Sequence, residues 1–372
     1  MRIAVPLEVK NNEFRVAMTP TGINELVKHG HEVAVQAGAG IGSSIPDSEY
    51  EAVGAQILPD AQSTWEFAEL VMKVKEPEKE EFQFLRDDLM LFTYLHLAAG
   101  AGCTDALLSA GTTAIAYETV QLEDKSLPLL QPMSEVAGCL APQLGAYHLT
   151  KPQGGRGVMM GGIGGVANAK VVILGAGVSG RMAAHIAAGM GADVTLLDTN
   201  LAKLRDASWY WGGAVQQLAS NELTVREQVV GADLVIGSVL IPGARAPKLV
   251  PNDLVAEMKP GSVLVDIAID QGGCFEDSHP TTHDDPTFTV HGSTFYCVSN
   301  MPGAVPHTST YALANATLPY VLKLADQGWR DAMRHDPALA AGLNTHGGHV
   351  TNAAVAESLE LELVTLKKIL KH

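Results

Sequence analysis

Four ionisable side chains stand where chemistry could be done. Lys75 closes the apolar run Leu70-Val71-Met72-Lys73-Val74, just before Glu76-Pro77. His96 closes the run that begins at Met90, and Asp270 closes the one that begins at Val263, just before Gln271-Gly272-Gly273. Arg15 lies in a polar stretch, residues 10–15, behind the first apolar run. In open α/β sheets ligands bind beyond the carboxyl ends of the strands. A site with two cations, an imidazole and a carboxylate suits a small anionic substrate whose carbon gains or gives a hydride. Arg15 and Lys75 would hold a carboxylate and polarise a carbonyl, and His96 would pass a proton. Each residue also has a plainer reading. A histidine in an apolar strand can be a satisfied core residue, and a Lys or Arg after a strand is commonly solvated. Asp266 and Asp270 can merely cap the following turn. The coincidence of three strand ends is what favours the functional reading, and both readings stand at this level.

A second constellation is more complete. Val171-Val172-Ile173-Leu174 is followed by Gly175-Ala176-Gly177-Val178-Ser179-Gly180, a helical pattern over 182–190, and a second apolar run, 194–197, that ends in Asp198. Strand, G-x-G-x-x-G turn, helix, strand and a terminal acid make up the dinucleotide fingerprint. Gly175 would make the tight turn, Gly177 would let the backbone approach a pyrophosphate, and Gly180 would allow close helix–strand packing. The helix N-terminus offers amide donors to the phosphates. Asp198 can accept both ribose hydroxyls and would repel a 2′-phosphate, so the expected cofactor is NAD rather than NADP. A similar domain binding something else, or nothing, is the plainer alternative.

The elements that must position these residues follow from the patterning. Strands are expected over 3–6, 32–36, 70–75, 89–95 and 113–117, and again over 171–174, 194–197, 234–237, 262–269 and 295–298. Helical patterns alternate with them, which predicts parallel sheets with crossover helices. Helices over 132–150, capped by Ser134, and 308–327 carry the chain between two domains, and a polar-faced helix is expected over 357–370. The expected fold is α/β, two Rossmann-like doubly wound domains. A catalytic, substrate-binding domain comprises residues 1–130 and 307–372, and an NAD-binding domain, residues 131–306, is inserted into it. The glycine-rich stretch 154–165 lacks a preceding strand and a G-K-[ST] ending, so it reads as a connector packed close to other backbone. The net charge of −16 argues against nucleic acid or an anionic membrane surface as the main partner. The four cysteines form no C-x-x-C pair, so they read as reduced thiols rather than a disulfide framework or zinc site. The N-terminus does not read as a signal peptide, and the longest uncharged stretch falls short of the roughly 20 residues that span a bilayer. A cytoplasmic location is expected.

Seven segments resemble the bacterial L-alanine dehydrogenases: Lys-Asn-Asn-Glu-Phe-Arg-Val-Ala (10–17), Lys-Val-Lys-Glu-Pro (73–77), Phe-Thr-Tyr-Leu-His-Leu-Ala-Ala (92–99), Ala-Tyr-Glu-Thr-Val (116–120), Pro-Met-Ser-Glu-Val-Ala-Gly (132–138), Val-Asp-Ile-Ala-Ile-Asp-Gln-Gly-Gly (265–273) and Asn-Met-Pro-Gly-Ala-Val-Pro (300–306). The resemblance implies reversible oxidative deamination of L-alanine to pyruvate and ammonium, with NAD as cofactor. It implies catalytic roles for His96 and Asp270 and substrate binding by Arg15 and Lys75. It also implies cofactor contacts at Ser134, Val178, Asp198, Lys203, Ser220, Val239, Leu240, Ile267, Asn300 and Met301, and a homo-oligomer, typically a hexamer. The family is similar in fold to the nucleotide-binding subunit of proton-translocating transhydrogenase. Such a subunit, another amino-acid dehydrogenase, or a non-enzymatic NAD-binding protein are the alternatives. Two positions depart from some relatives. His279 stands where they carry Arg, which weakens a cofactor contact there. Gln327 stands where they pair a His with Glu118 around magnesium, so no metal site is expected. His279, His283, Asp284 and Asp285 read as a polar loop, because Pro280 breaks any helical spacing.

Overall fold

The apolar runs 3–5, 70–72, 90–93 and 113–116 are buried at every residue, as strands inside a sheet covered on both faces must be. The computed structural model describes residues 1–99, 101–239 and 246–370. In chain order its strands are β1 (Arg2–Val5), β2 (Glu32–Gln36), β3 (Gln56–Leu58), β4 (Leu70–Met72), β5 (Met90–Thr93), β6 (Thr113–Ala116), β7 (Lys170–Leu174), β8 (Asp193–Asp198), β9 (Val215–Ala219), β10 (Leu234–Gly237), β11 (Val263–Asp266), β12 (Thr287–Val290), β13 (Ser293–Tyr296), β14 (Leu343–His346) and β15 (His349–Val350).

By compactness the chain divides into two units, Met1–Met133 with Val305–His372, and Ser134–Ala304. The first unit holds a sheet in the order β15-β14-β6-β5-β4-β1-β2-β3. The six strands from β6 to β3 are parallel, and β14 runs antiparallel to both β6 and β15. The second unit holds the order β12-β13-β11-β10-β7-β8-β9, parallel except for β12. Its pleat sends Val171, Ile173, Val194 and Leu196 to one face, against Ala183, Ala184 and Ala187. Val172, Leu174, Leu197 and Val235 face the other way, against Val225, Val229 and Leu254. Both units are therefore Rossmann-like α/β layers with helices on both faces.

Three strands stop short of their apolar runs. β4 ends at Met72, β5 at Thr93 and β11 at Asp266, not at 75, 95 and 269. The reason is competition for amides. The Glu8 carboxylate takes the N–H groups of Val74 and Lys75, Glu118 takes those of Leu95 and His96, and Asp266 takes that of Ala268. The edge strands β3, β9, β12 and β15, and the short β14 inside β15, escape the sequence pattern because each is short or only partly buried. The helix expected over 357–370 is two pieces, Ala353–Ser358 and Leu366–Ile369. Between them Glu360 adopts a left-handed φ of 54° and Val364 donates to the carbonyl of Val350, which draws that stretch to β15. Ser134 is not a cap, since its helix, Gln131–His148, begins three residues earlier.

The glycine turn behind β7 shows why its residue types are needed. Gly175 has φ +107°, and a Cβ on Gly180 would sit 1.8 Å from the Gly175 carbonyl oxygen. A Cβ on Gly177 would meet nothing within 4 Å. Gly180→Ala should therefore lower the unfolding free energy by about 1–3 kcal/mol through overpacking, read by chemical denaturation. Gly177→Ala should cost at most about 1 kcal/mol, that of Ala at a helix N-cap. Equal losses would contradict this geometry.

Candidate functional site

In the first unit, Arg15 follows β1, Lys75 follows β4 and His96 follows β5, so all three lie past the carboxyl ends of parallel strands. Each is held by a carboxylate. Arg15 is 2% exposed and is not the solvated cation that a loop position suggests. Glu13 accepts from its backbone N–H at 3.1 Å, its Nε at 2.7 Å and its guanidinium Nη2 at 2.5 Å. Burial pushes the Glu13 carboxyl up. The hydrogen bonds and charge of Arg15 and the charge of Lys75 outweigh that, and hold it below the usual carboxylate range. Glu13 is thus the shared neighbour of both cations.

Behind β4, Glu8 accepts from Val74 at 2.6 Å and Lys75 at 3.2 Å, and the oxygen facing Lys75 also meets the Lys73 ammonium at 3.3 Å. Lys73 is fully buried and donates to Glu81 at 2.7 Å. Burial opposes its charge, but the two carboxylates raise its pKa. The carbonyl of Lys75 accepts from Thr93 Oγ1 at 2.9 Å, which ties the loop after β4 to β5.

Behind β5, His96 is an exposed residue with φ +48°, rare for a side chain other than glycine. It is not a core histidine. Glu118, in the single turn Tyr117–Thr119 after β6, accepts from its N–H at 2.6 Å and from that of Leu95 at 3.2 Å. The imidazole Nδ1 lies 4.0 Å from Glu76 Oε2, a buried oxygen with no hydrogen-bond partner among the described residues. Burial pushes Glu76 up, but a hydrogen bond and charge from Lys10, and the charge of Lys75, bring it below its ordinary value. Glu76 therefore links Lys75 to His96 as Glu13 links Lys75 to Arg15. The structure brings these three predicted residues together around shared carboxylates.

In the second unit the remaining predicted residues follow the carboxyl ends of successive strands. Gly175, Gly177, Val178 and Gly180 follow β7, Asp198 ends β8, and Ser220 follows β9. Val239 follows β10, Ile267 and Asp270 follow β11, and Asn300 and Met301 follow β13. Leu240 lies outside the described residues. Lys203 is exposed on the helix Leu201–Trp211, and Ser134 is half-buried on Gln131–His148. Asp198 accepts from Ala176 N–H at 2.7 Å and from Asn200 N–H at 2.7 Å, pinning the glycine turn. The helix Val178–Gly189 has no side-chain N-cap. Its N-terminus, with open space over Gly177, fits the pyrophosphate of a dinucleotide. Asp270 is exposed on the turn Ile269–Gln271. Asp266, fully buried, anchors that loop by accepting from Ala268, Cys274 and Phe275 N–H and from Ser278 Oγ at 2.5 Å. The capping role open to both aspartates thus falls to Asp266. Asn300 has φ +63°, the second non-glycine candidate after His96 in the left-handed region.

Among the described residues no group of three His, Cys, Asp or Glu side chains gathers as a metal site would. His279 stacks on Phe288 with ring centroids 3.7 Å apart, and His283 bonds the Asn300 carbonyl at 3.2 Å. Sequence reasoning missed Glu8, Glu13, Glu76 and Glu118 as supports, while the turn-capping reading of Asp266 holds. The available signal was an acidic residue at a strand end or just behind it.

Residues 4–137 match the family described as Alanine dehydrogenase/PNT, N-terminal domain, and residues 141–353 match Alanine dehydrogenase/PNT, C-terminal domain. An alanine dehydrogenase of Mycolicibacterium smegmatis is 60% identical over 361 residues, 97% of each chain. A solved L-alanine dehydrogenase superposes with a TM-score of 0.94 at 50% identity, over 97% of this chain and 99% of that one. A transhydrogenase structure from Sinorhizobium meliloti superposes with a TM-score of 0.81 at 28% identity, over 95% and 100%.

The Glu13–Arg15 pair gives a signed pH dependence. Glu13→Gln should destabilise the protein by about 3 kcal/mol at pH 7, because it takes the carboxylate from a buried guanidinium. The native Glu13 carboxyl lies below its unfolded value of about 4.3. Its contribution is therefore complete above that pH and is lost as the pH falls through the native value. Denaturation of both proteins from pH 7 to pH 4 and below should show the gap narrowing only at the acid end. A gap independent of pH would contradict the pairing.

Proposed function

Because the chain belongs to the alanine dehydrogenase/PNT family, we propose that it is an NAD-dependent L-alanine dehydrogenase. It would convert L-alanine, NAD and water reversibly to pyruvate, ammonium, NADH and a proton. The observation that carries the reading is the set of Arg15, Lys75 and His96 behind adjacent parallel strands, sharing Glu13 and Glu76 as neighbours. Two cations and an imidazole suit a 2-oxo acid.

Arg15 and Lys75 hold the substrate carboxylate and polarise its carbonyl. Ammonia adds to that carbonyl to give a carbinolamine, and loss of water leaves an iminium. His96 gives the departing hydroxyl its proton and, in the other direction, takes one from the attacking water. Asp270 holds that water and shares its proton traffic. Gly175, Gly177 and Gly180 with the amides of the helix Val178–Gly189 would hold the cofactor pyrophosphate, and Asp198 the adenosine ribose. The cofactor, when bound, supplies or accepts the hydride at the substrate carbon. Orienting the two reactants is the largest contribution the chain makes.

The reading takes the physiological partners to be small molecules and the enzyme to be a cytoplasmic homo-oligomer. Four unpaired thiols are consistent with a reducing compartment. No helix among the described residues is long and apolar enough to cross a membrane.

Purified protein should oxidise NADH with pyruvate only when ammonium is present. His96→Ala and Asp270→Asn should each lower kcat about 100- to 10,000-fold, with the fold intact by circular dichroism. Asp198→Gly should weaken NADH more than NADPH. Full activity in both catalytic variants would sink the assignment. NADH oxidation indifferent to ammonium would favour a transhydrogenase-like role instead.

A further inference from the structure

The imidazole of His96 has little to hold it. Among the described residues its ring accepts or donates no hydrogen bond. Glu76 Oε2 stands 4.0 Å from its Nδ1, and the Tyr94 ring is tilted with its centroid 5.8 Å away. Its direction is therefore set by the backbone, and that backbone is in the left-handed region at φ +48°. A non-glycine residue stays there only when its surroundings hold it. Leu97–Ala99 continues as a single turn, so strand pairing does not fix the residue from that side either. The groups that do grip it are the two oxygens of Glu118. Oε1 accepts from His96 N–H at 2.6 Å and from Leu95 N–H at 3.2 Å, and Oε2 accepts from Leu95 N–H at 3.2 Å. The next strand of the parallel sheet thus reaches across to fix the turn after β5.

We propose that Glu118 is a positioning residue for His96, its carboxylate holding the left-handed turn that aims the imidazole at the substrate. The catalytic consequence rests on the reading of His96 as the proton-transfer group; the contact itself does not. A one-ångström misplacement of a catalytic group can cost about 100-fold, so the effect should fall on kcat and spare cofactor binding. Glutamine at this position keeps one oxygen for the His96 amide, while alanine keeps none.

The test is a double-mutant cycle with an exchange measurement. Glu118→Ala should lower kcat for ammonium-dependent pyruvate reduction about 10- to 100-fold, with the Kd for NADH unchanged. Glu118→Gln should keep activity to within about 5-fold, as expected when one of two acceptor oxygens remains. In a His96→Ala background, Glu118→Ala should add less than about 2-fold, since coupled residues do not act additively. Hydrogen–deuterium exchange of a peptide spanning 94–97 should speed up in Glu118→Ala and less so in Glu118→Gln. Losses that multiply in the His96→Ala background would overturn the proposal, as would wild-type exchange in Glu118→Ala. If the unaltered protein fails to reduce pyruvate with ammonium, the proposed reaction falls. The exchange result then decides the Glu118 contact by itself.

Discussion

Behind the strand ends that carry the candidate residues, a carboxylate takes up backbone N–H groups that the sheet no longer pairs. Glu8 does this after β4, Glu118 after β5, Asp266 after β11, and Asp198 across from the end of β8 to the turn after β7. Glu13 plays the same part for the loop after β1 and adds the guanidinium of Arg15. A buried N–H left without an acceptor costs about 1–3 kcal/mol, so Glu8, Glu13 and Asp266, which accept from buried donors, constrain their loops strongly. The rest of the site depends on that constraint. Loops that would otherwise sample many conformations present Arg15, Lys75 and His96 in defined places in the first unit, and Asp270 in its own place in the second.

The same groups reconcile a cationic site with a strongly acidic chain. The formal charge is −16, yet the residues suited to an anionic substrate are cations. Arg15, Lys75 and Lys10 each sit beside a carboxylate whose pKa they depress. These pairs add little net stability, because desolvation offsets much of the attraction. Their effect is geometric. The buried Lys73, between Glu8 and Glu81, illustrates it: removing one partner would strand a charge, so the arrangement admits few alternatives.

Much of this was legible in the residues. The fully buried parallel strands announced themselves as short apolar runs, and the Val171-to-Asp198 segment carried strand, turn, helix and acid in the expected order. Arg15, Lys75, His96 and Asp270 were visible as ionisable residues behind strands. Their supports were not, because the hydrogen bonds that Glu118 accepts from His96 and Glu8 accepts from Lys75 join residues 22 and 67 positions apart. That distance also explains why β4 and β5 looked too long: an apolar run records burial, while the strand ends where another acceptor takes its amides. Short edge strands such as β3 and β9 were missed since one solvated side leaves no continuous pattern.

Carboxylates that belong to the chain itself hold these loops, so the loops need no ligand to take their form. Peptide-level amide exchange of the unliganded wild-type protein, repeated with saturating NADH, tests it most directly. Peptides covering Val74–Lys75, Leu95–His96 and Ala268–Phe275 should already exchange slowly without ligand, and NADH should change them little. Fast exchange in the free protein, with protection appearing only when NADH binds, would contradict the account.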